Sequence, residues 1–291
     1  MIFFSKKCNR FLSLTFLALK IFFWHVYAED VEQVKKGNFS LPSSQQPGPL
    51  FGFGQNVVDA GTLQLIGYLD YRKAHHQDEL NFFPSILYGI TDRFALFGFL
   101  QAEPYRNVDG IHTSRVSQVG LQFEYSVYAN KQATCIDELT VVWGSNFSVS
   151  PDVRREFFAP SFFLGATVSR MTNDWYLFAS PAAILPTRKS NSKSGNTVTL
   201  QAGIGRNIPT STNYILLAML ELNLISSQRN QILGSLDQDS GGQILFFGPT
   251  LWFATRSFFA QAGAVFPLYQ HVNGRQNRGH YIAALNTGVT F

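Results

Sequence analysis

Only 14% of the 291 residues are charged, against about 25% in an ordinary soluble domain, yet the mean hydropathy is near zero. Beyond residue 28 the longest apolar stretch, Tyr214 to Leu220, stops at Glu221, so membrane-spanning helices of about 20 apolar residues are excluded on length. The formal charge of +4 comes from Lys6, Lys7, Arg10 and Lys20; without residues 1–28 the chain carries 19 basic against 19 acidic residues, and its basicity gives no support for nucleic-acid binding.

Residues 1–28 have the order of a secretory signal peptide. A basic region (Lys6, Lys7, Arg10) precedes the apolar stretch Phe11 to Trp24, and Val26-Tyr27-Ala28 offers small-residue cleavage before Glu29. Cleavage is expected between Ala28 and Glu29. Cys8 leaves with the signal, so Cys135 remains alone and no intramolecular disulfide can form. Residues 29–56 stand apart. Asn38 to Gln55 is rich in Pro, Ser, Gln and Gly without any period, which fits an irregular periplasmic leader, the simpler expectation, or a small plug inside a barrel.

From residue 57 the chain breaks into short segments with strand character, expected at 60–70, 80–89, 93–102, 116–127, 138–147, 157–168, 175–184, 197–205, 214–224, 243–253, 258–268 and 280–291. Twelve is an even number, as bacterial single-chain barrels require. Alternation is clearest in 116–127, where Val119, Leu121, Phe123, Tyr125 and Val127 interleave with Gln118, Gly120, Gln122, Glu124 and Ser126. The segment 197–205 is nearly as clean. Segments 93–102, 175–184 and 243–253 are apolar on both faces and cannot be oriented by period. With the mature start in the periplasm, inner turns fall at 90–93, 128–137, 171–174, 206–213 and 254–257. The outer loops fall at 71–79, 103–115, 148–156, 185–196, 225–242 and 269–279, each about nine residues or longer.

The final strand, Tyr281 to Phe291, alternates with Tyr281, Ala283, Leu285, Val289 and Phe291 on one side, Thr287 being the only polar member of that row. A period of two over about ten residues suits a strand that faces lipid on one side and a lumen on the other. Its aromatic end, with Tyr281, Val289 and Phe291, resembles the signal read by the bacterial outer-membrane assembly machinery. Tyr125, Tyr128, Trp143, Trp175, Tyr214, Trp252 and Tyr281 are candidates for the interfacial aromatic girdles. The expected fold is therefore all-β, a transmembrane antiparallel up-and-down barrel over 57–291.

The segment Tyr88-Gly-Ile-Thr-Asp-Arg-Phe-Ala-Leu-Phe-Gly-Phe-Leu100 resembles a hairpin of the transporter family associated with the meta-pathway of phenol degradation. Pro104-Tyr105 and the alternating strand toward Tyr125 are similar to that family too. The resemblance implies an outer-membrane channel or transporter; the external loops carry no match, so no substrate follows from it.

Parity gives an inward polar set of Gln64, Asp70, Gln118, Gln122, Glu124, Gln201, Glu221, Asn223, Gln261 and Asn286. Carboxylates on strands must face water or a partner, so Glu124 and Glu221 either border a solute path or pair with an Arg as internal struts. Ile66, Tyr68, Phe163 and Phe259 share that parity and make the lumen partly apolar, suited to small apolar or aromatic solutes or to packing that closes the bore. His75-His-Gln-Asp-Glu79 has metal-ligand residue types but falls in an expected surface loop, where a solvated turn is the commoner use. His271-Val-Asn-Gly-Arg275 is similar to a segment of the twelve-stranded outer-membrane phospholipases but lacks the serine that must follow the histidine, so acyl transfer has no nucleophile. No phosphate-binding glycine loop, zinc pattern or nucleotide motif occurs, and no cofactor is expected. Three readings result: a channel passing small solutes, a lipid-modifying enzyme, or a structural surface barrel, each in contact with outer-membrane lipids.

Overall fold

The computed structural model describes residues 36–54, 57–132, 134–149, 159–189, 191–208 and 211–291, all within one compact unit, Val34–Phe291. The expected signal segment and the Ala28/Glu29 cleavage site lie outside the described residues. Twelve long strands close into an antiparallel barrel: β1 (Leu63–Ala74), β2 (Gln77–Thr91), β3 (Phe94–Val108), β4 (Ile111–Lys131), β5 (Cys135–Ser148), β6 (Ser161–Thr172), β7 (Trp175–Pro186), β8 (Thr197–Asn207), β9 (Ile215–Ser227), β12 (Gly242–Ala254), β13 (Phe258–Val272) and β14 (Gly279–Thr290). Between β9 and β12 the chain makes a small separate hairpin, β10 (Gln231–Ile232) with β11 (Ser235–Leu236). Each long strand pairs with its sequence neighbours, and β1 closes on β14 in a register running from Gln64 opposite Thr290 to Lys73 opposite Tyr281. The Phe291 N–H donates to the Leu63 carbonyl at 2.9 Å, so the last residue is tied to the first strand.

Burial separates the two faces. Along β4, Val119, Leu121 and Tyr125 are exposed while Gly120, Glu124 and Ser126 are buried. Leu65, Ile86, Phe162, Leu164, Val198, Leu220, Leu251 and Leu285 extend the exposed apolar surface around the wall. So wide an apolar band would be a liability in water; against acyl chains it is the stable arrangement, and a closed sheet leaves no strand edge unpaired there. Tyr125, Tyr128, Trp143, Trp175 and Tyr214 lie on this outer surface. Trp252 does not: it points inward, 5% exposed, with its ring stacked on Phe259 at 4.8 Å.

All twelve expected strands are present, but several run longer than their polarity suggests. The expected outer loops 71–79 and 103–115 are instead hairpin arms ending in the two-residue turns His75-His76 and Asp109-Gly110. Cross-strand charge pairs explain the extension: Lys73 with Asp78 at 2.6 Å, Arg106 with Glu79 at 3.2 Å, and Arg115 with Glu103 at 2.8 Å. In each pair opposite charges face one another across the ladder, which supports pairing in water where an apolar contact is missing. The last outer loop likewise contracts to 273–278. At 21 residues, β4 far exceeds the roughly ten that cross a bilayer, so its arm projects into solvent.

Candidate functional site

The ends of the barrel differ in how they are filled. The near end is the one that carries the start of β1, Phe291 and the connections that follow β2, β4, β6, β8 and β12. There Met171, Tyr176, Phe178, Ile215, Leu217, Met219, Trp252, Ala254 and Phe259 form a buried inward cluster. Leu41, from the chain before β1, completes it at 5% exposure, a burial worth roughly 1.5–3 kcal/mol. At the far end, residues 191–196 interlock with residues 228–241: Lys193 bridges Gln231, and Gly195 N–H donates to Asn230 Oδ1 at 2.8 Å.

Leu41 belongs to an irregular segment, 36–54, that contains two single-turn 3-10 helices, Gly37–Phe39 and Ser43–Gln45, and lies against the inward face of the strands. The contacts begin at the β6–β7 turn. Asn38 Nδ2 donates to the carbonyls of Thr172 (2.9 Å) and Trp175 (3.2 Å), while its oxygen accepts from Asn207 Nδ2 at 2.7 Å. Gly37 has φ +61, and a Cβ there would meet the Asn173 carbonyl oxygen at 2.0 Å, so only glycine allows this approach. Gln45 is fully buried; its amide nitrogen donates to the carbonyls of Thr255 and Phe258, and its oxygen accepts from Thr290 Oγ1.

Deeper in the bore, inward polar side chains of the barrel take up the backbone of the segment. Gln64 Nε2 donates to the Ser44 carbonyl at 2.6 Å, and Gln261 Nε2 donates to that of Gly48 at 2.9 Å. Glu221, 3% exposed, accepts from the Leu50 N–H (3.0 Å), the Phe51 N–H (3.2 Å) and Thr250 Oγ1 (2.9 Å). Asn223 Nδ2 donates to the Phe51 carbonyl at 3.0 Å. Gln201 packs directly on Gly52, where a Cβ would lie 1.7 Å from its Oε1. Glu221 is therefore bonded to backbone amides of the segment, an arrangement distinct from either a free solute path or an arginine strut.

The remaining inward candidates lie elsewhere. Asp70, 1% exposed, accepts from Arg72 Nε (2.8 Å) and Asn81 Nδ2 (2.9 Å). Together with Gln122 and Asn286, this pair borders a cavity of about 320 Å³ between residues 49–54 and strands β1–β4 and β14. Six aromatic side chains line it: Phe51 and Phe53 from the segment, Tyr68, Phe83, Phe97 and Phe99 from the strands. Tyr68 meets Phe83 edge-on at 5.5 Å, and Phe99 lies 5.8 Å from Phe97. Gln118 borders a second, polar cavity of about 210 Å³ at the far end, with Asn146, Ser148, Ser161 and Thr197. Glu124 is fully buried, opposite Ala95 on β3 and Val142 on β5. Ile66 borders the aromatic cavity, Phe163 lies beneath Phe53, and Phe259 belongs to the near-end cluster.

Phe83 on β2 and Phe97 and Phe99 on β3 are absent from the sequence candidates; β3 reads as apolar on both faces, and the inward set includes no residue of β2. Their register supplies the missing signal: Tyr68 opposite Phe83, Ser85 opposite Phe99 and Leu87 opposite Phe97 put them on the face of Gln64 and Asp70.

The histidine-rich turn and the His271 segment have structural roles. Asp78 and Glu79 pair with Lys73 and Arg106, and among the described residues no group of three His, Cys, Asp or Glu is placed to hold a metal ion. His271 is exposed near the end of β13, while Asn273 and Arg275 bond to Ser240 and Asp239 to shape the adjoining loop.

A closed twelve-stranded barrel with a lipid-compatible outer surface and a side-chain-filled bore is the architecture of outer-membrane β-barrels. The chain is similar in fold to an outer membrane channel from Pseudomonas putida F1, with a TM-score of 0.65 and 15% identity over 80% of this chain and 97% of that one. A NanC porin is a more distant likeness, with a TM-score of 0.49 and 12% identity over 77% of this chain and 98% of that one. No protein-family model and no curated protein matches the sequence.

Proposed function

We propose that this protein is a channel of the bacterial outer membrane that passes small solutes, apolar or aromatic ones among them, along the lumen between residues 49–54 and strands β1–β4. The observation that carries this reading is the cavity of about 320 Å³, which is roomy enough for a small ring compound and is walled by six aromatic side chains with polar groups confined to a few positions. Polar and ionic groups at Asp70, Arg72, Gln122 and Asn286 keep it wettable. The resemblance of residues 88–100 to transporters of the phenol meta-pathway supports the channel class, while the solute is argued from the cavity alone. In this reading residues 1–28 are a cleaved signal peptide, residues 36–54 a plug seated from the periplasmic side, and the hairpin arms project outward.

Purified protein in planar bilayers tests the channel. Discrete conductance steps are expected; a correctly folded barrel that neither conducts nor lets a solute leave liposomes would overturn the reading. The sign of the bore can be predicted as well. Inward acids Asp70, Glu124, Glu138 and Glu221 outnumber the inward bases Arg72 and Lys131, so potassium should permeate more readily than chloride. A reversal potential favouring chloride would contradict it.

The chain end provides a further test. Phe291 is 70% exposed, so deleting it removes little packing and only the hydrogen bonds to Leu63. We expect assembly into the outer membrane to fall sharply while a barrel refolded in detergent loses little stability. If the truncated protein reaches the membrane at the normal level, Tyr281, Val289 and Phe291 do not form an assembly signal.

A further inference from the structure

The inserted segment does not present all its side chains in the same way. Leu50 and Phe51 are held to Glu221 through their backbone N–H groups, and the Phe51 carbonyl is held by Asn223. Gly52 lies flat on Gln201. The Phe53 ring is engaged by the opposite wall: it meets Phe163 edge-on at 4.9 Å, and a Cβ on Gly165 below would lie 2.6 Å from its Cζ. Phe51 differs from these. Its backbone is fixed on both sides of the Cα, yet its side chain is only half-buried and borders the aromatic cavity. Across that cavity, Phe83, Phe97 and Phe99 are strand residues packed on one another, and Phe99 also covers Gly120, so that wall is set by the sheet.

We propose that Phe51 is the selectivity residue of the channel: the size limit and the preference among ring-bearing solutes are set by the inserted segment, with the barrel serving as its holder. This rests on the channel reading above. The physical reason is the division of labour between backbone and side chain. Glu221 and Asn223 bind groups that every residue type possesses, so the side chain at position 51 can change without dismantling the seat. A change there alters the clear width of the path directly, whereas a change at Phe53 first disturbs packing on Phe163. Pore width and the groups lining it are what decide which solutes pass.

The test uses the full mature chain in liposomes and planar bilayers, with methyl glucoside and phenyl glucoside as neutral probes that share one sugar. Phe51→Ala should raise the phenyl glucoside flux several-fold, and more than the methyl glucoside flux. Phe51→Trp should lower both, the larger probe most. Resistance of the segment to chymotrypsin shows whether it stays seated; if Phe51→Ala unseats it, the Trp variant, which keeps a ring there, decides. If the wild type conducts and neither variant changes the ratio of the two fluxes, the inference is overturned and the channel reading stands. If the wild type passes neither probe nor ions, the channel reading itself fails.

Discussion

A Leu121→Arg variant should fold into lipid vesicles far less readily than the wild type, while Gln122→Arg should fold almost normally. The two positions are adjacent on β4 and face opposite sides. Leu121 is 42% exposed on the outer wall, with Gly98 and Ser145 as its small cross-strand neighbours. An arginine there has no side chain to cover it and sits against acyl chains, at a cost of about 2–4 kcal/mol near the midplane. Gln122 borders the aromatic cavity, where water and the carboxylate of Asp70 can solvate a guanidinium. The same substitution should shift permeation toward anions, because it adds a positive charge to the path. Folding yields from urea, read by gel mobility with and without heating, give the comparison. Equal tolerance at both sites would mean that β4 does not cross a bilayer, and the reverse order would exchange inside for outside.

What the sequence made legible follows the rules of a two-sided sheet. In β4 and β8 every second residue is polar because one face meets lipid and the other meets water or the inserted segment. That period places Gln118, Gln122, Glu124 and Gln201 on the inner face from local information alone. β7 and β12 defeat the same rule at the near end of the bore, which is itself an apolar core. Tyr176, Phe178, Trp252 and Ala254 point inward and pack together, so both faces of their strands are hydrophobic. Trp252 accordingly resembles a girdle residue in the sequence and is a core residue in the fold.

Two other departures have different causes. The arms of β1–β4 carry Asp, Glu, Lys and Arg because they stand in water, and dense charge reads as loop unless its cross-strand pairing is known. A usable signal was present in Asp109-Gly110, a dipeptide suited to a tight hairpin, where both residues have positive φ. The inserted segment was harder to place. It has no period, and the groups that hold it are distant in sequence: Leu50 is 171 residues from Glu221, and Gly48 is 213 from Gln261. Composition marks 29–56 as distinct, but only tertiary structure brings residues 36–54 against these partners.

Replacing Glu221 with Ala should leave the barrel folded and release the inserted segment. The carboxylate is almost fully buried, and its desolvation opposes folding by several kcal/mol. The hydrogen bonds it accepts from Leu50, Phe51 and Thr250 offset that penalty, charge-assisted bonds contributing roughly 1.5–3 kcal/mol each. The two effects therefore nearly cancel for the barrel, whose strands keep their full ladder of backbone bonds. They do not cancel for the segment. In the Ala variant the Leu50 and Phe51 amides stay buried without an acceptor if the segment remains, at about 1–3 kcal/mol each, and find water if it leaves. A total near 3 kcal/mol would move the seated-to-released equilibrium by roughly a hundredfold. Glu221→Gln should lie between, since its oxygen can still accept one amide. The expected readout is rapid chymotryptic cleavage around Phe51 and Phe53, together with a larger and less selective conductance, in a barrel of unchanged heat-modifiable mobility. Should the Ala variant retain both the protease resistance and the conductance of the wild type, the segment is held mainly by Asn38, Gln45 and the Leu41 cluster, and Glu221 is not its latch.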